Sequence, residues 1–183
     1  REHHLFEGPE NVVGLIGGKL TNYRILSEHV MEKILEKLPV QEREKAAPSR
    51  TDKIMLGGWQ DKAGYLGLSA EISSKARNLN IEPASLDHLV TSYGADALAI
   101  VKLIEKDSFL GKRITPDFPQ LMAEVVFAVK NEMAVSLEDI LFRRIRLGLV
   151  HQEQCQLAVP KVARLVQGIC GWDDVRTQIE IDT

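Results

Sequence analysis

The sequence predicts a mainly α protein, with an all-helical C-terminal domain preceded by a short β-hairpin and one helix that read as cut from a larger α/β sheet. Three observations carry this. Beyond about residue 69 the apolar residues recur at helical spacing with almost no strand signal. Before residue 40 a β-branched apolar run, Val12 to Ile16, ends in Gly17-Gly18 and passes into a helical stripe. Between them, prolines, a charged cluster and Gly57-Gly58 break both patterns. The domains expected are therefore 1–40, a linker over 41–66, and a helical domain over 67–183.

The opening "REHHLFEGPENVVGLIGG" suits a two-stranded hairpin, with turn residues in "EGPEN" between Leu5-Phe6 and the Val12 run. Two strands are marginal without a third strand or a covering helix, and this strand is apolar enough for burial on both faces. The segment is thus expected to be an excerpt, as the missing initiator Met also suggests. Its free edges would pair with a neighbour, giving a homo-oligomer or strand-swapped dimer. From Tyr23 the stripe Tyr23, Leu26, Val30 and Ile34, widened by Ile25, Met31, Leu35 and Leu38, predicts a helix capped by Thr21 or Asn22. One short strand is expected at Lys53 to Leu56. Helices are expected near 69–78, 83–92, 94–106, 117–132, 136–147, 152–170 and 172–178. Ser85 and Ser136 precede periodic runs, Ser136-Leu137-Glu138-Asp139 reads as a capping box, and Gly111, Gly148 and Gly171 stand where helices stop.

Composition narrows the function. A net charge of −3 and only 5% aromatic residues, not interleaved with basic ones, give no footprint for nucleic acid. No apolar stretch reaches the roughly 20 residues of a membrane-spanning helix. Cys155 and Cys170 fall on one expected helix, spaced against a disulfide, which suits reduced thiols in a cytoplasmic protein. His3 and His4 point to opposite faces of a strand, and His29, His88 and His151 are dispersed, so no metal site is expected.

The chemistry concentrates in "GLIGGKLTNYR". Glycines between a strand and a helix start let backbone approach a ligand, the free N–H groups there favour anions, and Lys19 adds a full charge. The residues alone leave open a plain turn with a solvated lysine. Neither the P-loop nor the dinucleotide spacing is present. In "EMAVSLEDILFRRIRLGL", Arg143, Arg144 and Arg146 crowd one helix end. There they either pair with Glu132, Glu138 or Asp139 or a neighbouring domain, or gather a phosphate.

"GGKLTNYRILSEHV" resembles the G-G-K-L-T-T-Y-R motif of FAD-dependent glycerol-3-phosphate dehydrogenases and α-glycerophosphate oxidases, and "REHHLF" resembles that family's arginine-containing strand. "IMLGG" is similar to its L-P-G-G linker without the proline. "VTSYGADA", "EMAVSLEDILFRRIRLG" and "GICGW" follow in family order. The resemblance implies the C-terminal part of an enzyme that oxidises sn-glycerol 3-phosphate to dihydroxyacetone phosphate, with hydride transfer to FAD and electrons passing to a quinone or other acceptor. It implies that Gly17, Gly18, Lys19, Leu20 and Thr21 face the flavin and that Arg1 and Lys19 bind the substrate phosphate. Asn22 stands in place of the motif's second threonine. It further implies a catalytic base upstream of this chain, an isolated chain that is inactive, and a cytoplasmic location, peripheral on the membrane face. A helical interaction module without catalysis is the competing reading.

Overall fold

The computed structural model describes residues 2–55 and 61–183 and divides the chain into two compact units, Arg1–Met55 and Leu56–Thr183. The first unit opens with antiparallel strands β1 (His3–Glu7) and β2 (Val13–Gly17), joined through a 3-10 turn at Pro9–Asn11. Their register pairs His3 with Gly17 and Phe6 with Gly14. Gly14 is required by packing: a Cβ there would lie 2.1 Å from the Phe6 ring, which covers β2. Helix α1 (Tyr23–Lys37) follows, then one helical turn, α2 (Val40–Arg43), inside the segment expected as linker.

Among residues 2–55 none whose burial is described is buried. Leu26, Val30 and Ile34 of α1 are half-buried, while Tyr23, Ile25, Met31 and Leu38 remain exposed on its other apolar side, as do Val12 and Ile16 of the hairpin. This unit therefore has apolar surface on two sides and no core of its own. Lys53–Met55 are not strand; Leu56 and Gly57-Gly58 lie outside the described residues.

The second unit is helical. Helix α3 (Lys62–Ala76) starts well before the expected position, because Asp61 caps it through a 2.8 Å bond from Gly64 N; Gly64 and Gly67 dilute the helical pattern in its first half. Helices α4 (Pro83–Tyr93) and α5 (Ala97–Lys106) fall as expected. Ser85 does not cap α4; it lies inside the helix, fully buried, and Pro83 opens the first turn. A 3-10 turn, Ser108–Gly111, leads to a tight loop in which Ile114 N donates to Gln120 O. Helix α6 (Met122–Asn131) begins five positions later than expected, after Pro116 and Pro119. All residues from Met122 to Ala128 are buried, so α6 is the central helix, packed on α5 and α8.

The segment expected as helix 136–147 is a π-helical stretch, Asp139–Arg144, and a turn at Arg146 in the left-handed region (φ +61°) before α7 (Leu147–Val150). Arg146, not Gly148, makes this break. Gly148 is held by space, since a Cβ there would meet the Phe142 ring at 2.5 Å. The capping box is realised one residue out of register: Ser136 Oγ accepts from Asp139 N at 3.1 Å, while Asp139 reaches back to Val135 N at 3.0 Å. Helix α8 (Gln152–Cys170) ends at Gly171 (φ +66°), and α9 (Asp174–Asp182) is capped by Asp173. The core, with Ile72, Leu89, Ile100, Leu121, Ile140 and Val162 at its centre, draws on every long helix of this unit except α9. Cys155 is buried, Cys170 is exposed, and neither forms a disulfide. Among the described residues no helix is long and apolar enough to cross a membrane.

Candidate functional site

Strand β2 runs directly into the candidate loop. Gly17 and Gly18 have φ of +85° and +88°, a region that favours glycine. A Cβ on Gly17 would stand 2.7 Å from Glu2 O, and one on Gly18 would stand 2.9 Å from Leu26 Cδ1. Gly18 N donates to Glu2 O at 3.2 Å, which locks the turn to the start of β1. Lys19 is extended, and a single 3-10 turn, Leu20–Asn22, closed by Asn22 N to Lys19 O at 2.9 Å, feeds α1.

Neither the 3-10 turn nor α1 has a side-chain N-cap: Asn22 precedes α1 but makes no cap bond. Its backbone is already drawn into the 3-10 turn rather than extended, which is the conformation that capping uses. Lys19, Leu20 and Thr21 are exposed, Leu20 at 89%. Among the described residues no carboxylate pairs with Lys19. The loop thus brings Gly17, Gly18, Lys19, Leu20 and Thr21 together as one exposed stretch with an unpaired cation beside an uncapped helix start. Arg1 lies outside the described residues.

Behind the loop, β1 and α1 are fastened by a row that sequence reading missed. His3 Nε2 and His29 Nδ1 are hydrogen-bonded at 3.0 Å. Glu7 accepts from Lys37 at 2.7 Å and pairs with Lys33 at 3.4 Å, and these bonds hold its carboxyl below the usual range. The signal is present in hindsight: His3 and Glu7 share a strand face, and His29, Lys33 and Lys37 recur every fourth residue on α1.

The arginine cluster does not converge. Arg143 is held by Glu138 at 2.6 Å and Asp139 at 2.7 Å. Arg144 donates to the backbone carbonyl of Glu132 at 3.0 Å, and exposed Arg146 points from a left-handed turn without an ion pair among the described residues. Of the two readings, the pairing one describes Arg143.

A second polar centre, unforeseen, gathers around a buried carboxylate of the helical unit. The carboxylate of Glu124, 0% exposed, accepts from Leu121 N at 2.6 Å, from Tyr93 OH at 2.9 Å, and bonds His88 Nε2 at 2.9 Å; Ser92 Oγ meets His88 Nδ1 at 3.2 Å. Burial, and then the charge of Glu124, pushes the Tyr93 phenol far above its ordinary range. No buried side-chain atom of His88, Tyr93 or Glu124 lacks a partner, and the centre reads as a satisfied structural network. Among the described residues no group of three or more His, Cys, Asp or Glu side chains could hold a metal ion.

In chain order a strand–glycine–helix unit is followed by an all-helical one. The chain belongs to the family of the C-terminal domain of alpha-glycerophosphate oxidase, whose sequence profile matches residues 49–177. It is 36% identical over 169 residues to a glycerol-3-phosphate dehydrogenase of Synechocystis sp., covering 92% of this chain and 29% of the relative. It is 26% identical to the probable mitochondrial glycerol-3-phosphate dehydrogenase of Dictyostelium discoideum over 99% of this chain and 27% of that protein. To the mitochondrial enzyme of Homo sapiens it is also 26% identical, over 100% of this chain and 24% of that protein. The chain therefore spans between about a quarter and under a third of the length of these oxidoreductase relatives.

Proposed function

We propose that this chain is the C-terminal part of a flavoenzyme that oxidises sn-glycerol 3-phosphate to dihydroxyacetone phosphate, with electrons passing to a quinone or another acceptor. The observation that carries the reading is the loop Gly17–Thr21: two glycines at positive φ, then an exposed and unpaired Lys19 at a helix start. Its residues fit a bound flavin and phosphate ester, because an unpartnered cation and an uncapped helix N-terminus both favour negative charge. FAD, when bound, accepts the hydride. The backbone of Gly17 to Thr21 orients the pyrimidine end of the ring, and Lys19 holds the substrate phosphate, with Arg1 as its partner in that role. The general base belongs to the remainder of the parent protein.

On this reading the exposed apolar faces of β2 and α1 are covered in the parent by the rest of the flavin domain. In the isolated chain the free hairpin edges pair with a second copy. The parent acts in the cytoplasm, peripheral to the membrane face.

The test is Lys19→Ala in the longer parent enzyme. A charge-assisted contact to phosphate is worth about 1.5–3 kcal/mol, so KM for glycerol 3-phosphate should rise by about tenfold or more with flavin content unchanged. An unchanged KM removes Lys19 from the phosphate site.

A further inference from the structure

Helix α8 carries an outer face on which Leu157 stands clear of the core and Leu165 is only partly buried against it. Leu157, Lys161, Arg164 and Leu165 recur at spacings of four, three and one, and so share one face over two helical turns, roughly 12 Å. Leu157 is 79% exposed. Together with Pro160, and with Phe109 from the Ser108–Gly111 turn as the facing wall, these residues line an open groove of about 510 Å³.

The groove is cationic. Lys112 Nζ and Lys161 Nζ lie 5.3 and 6.0 Å from the centre of the Phe109 ring, and Arg164 lines the same groove. No carboxylate lies within ion-pair distance of Lys112, Lys161 or Arg164 among the described residues. Lys161 donates to Arg113 O at 3.0 Å; burial, and then repulsion from Lys112, draws its amine below the usual lysine range. Three cations without an ion pair among the described residues thus surround an apolar slot, on a chain whose net charge is −3, and their charge favours an acidic occupant.

We propose that this groove docks an acidic amphipathic helix of a partner protein, its apolar stripe seated on Phe109, Leu157 and Leu165 and its carboxylates on Lys112, Lys161 and Arg164. The groove's open side, with Leu157 and Leu165 two turns apart, Phe109 facing them and the cations between, suits helix-in-groove recognition, in which an amphipathic helix lays its apolar face against a complementary surface. The cations set register and partner choice, and the apolar row supplies contact area.

The test uses the full chain and a fluorescein-labelled helix of about 18 residues with leucine on one face and glutamate on the other, a length for stable helix formation. Fluorescence anisotropy should show saturable binding, and a peptide with lysine for every glutamate should show none. The double substitution Lys161→Glu with Arg164→Glu should weaken binding by about tenfold or more, as should Leu157→Asp, whose exposure leaves the fold untouched. Far-UV circular dichroism matching the parent shows that the variants fold. Absence of saturable binding, or equal binding by the variants, overturns the proposal. So does concentration-dependent dimerisation of the chain that the charge reversal abolishes, since the groove is then taken by a second copy.

Discussion

Glu124 gathers the buried polarity of the helical unit, and its removal leaves Leu121 N, Tyr93 OH and His88 without their acceptor. Stranding these groups costs far more than the net value of any one bond. Glu124→Ala is expected to destabilise the chain by about 3–5 kcal/mol, measured by urea unfolding. Glu132 acts in the opposite sense. One of its buried oxygens has no partner, and burial, reinforced by Asp96 and Glu124 against the pull of Arg144, raises its carboxyl above the ordinary value of 4.5. A raised folded value means its contribution is fully present below 4.5 and is lost as pH rises through the folded value. Glu132→Gln is therefore expected to raise Tm at neutral pH and to make no difference below about pH 4, a contrast that thermal melts at the two pH values read directly. The sequence did not show the role of Glu124, and it offered Glu132 only as a partner for the arginines of the 136–147 segment. His88 and Glu124 are 36 positions apart and meet only after α4 and α6 pack, whereas Gly17, Gly18 and Lys19 declare themselves because their geometry is local.

At the scale of elements, local chemistry was readable wherever a helix ended by its own residues and misleading wherever a neighbour decided. Gly171 closes α8 in the left-handed conformation that its sequence position suggests. Gly148 looks the same in sequence, yet it sits inside α7 because the Phe142 ring occupies its missing Cβ. The stop falls to Arg146, a residue that no turn rule selects. Gly148→Ala is expected to cost about 1–3 kcal/mol by displacing the ring and disturbing the π-helical stretch, and a Phe142→Leu background should recover part of that loss in urea unfolding. The late start of α6 and the early start of α3 have the same kind of cause. Pro116 and Pro119 keep the tight loop before Met122 out of the helix, and Asp61 starts a helix whose glycines hide it.

At the scale of the molecule, all the buried residues lie in Leu56–Thr183, while Arg1–Met55 carries the candidate cofactor loop with no buried residue among those described. That division follows from what each unit packs against. The helical unit closes on itself around α6. A hairpin and one helix with apolar residues on two sides need further layers. Mainly α architecture and the positions of α4, α5 and α8 were legible because helical periodicity is local, and the strand–glycine–helix loop was legible because its parts are contiguous. The zipper of His3 with His29 and Glu7 with Lys33 and Lys37 needed the hairpin register to be seen. The central claim is that this loop belongs to a flavin site acting on glycerol 3-phosphate. Its most direct test is the visible absorption of the full-length parent before and after anaerobic addition of glycerol 3-phosphate. The account predicts flavin bands near about 450 nm that bleach with substrate. A parent that binds no flavin, or whose flavin stays oxidised under saturating substrate, contradicts it.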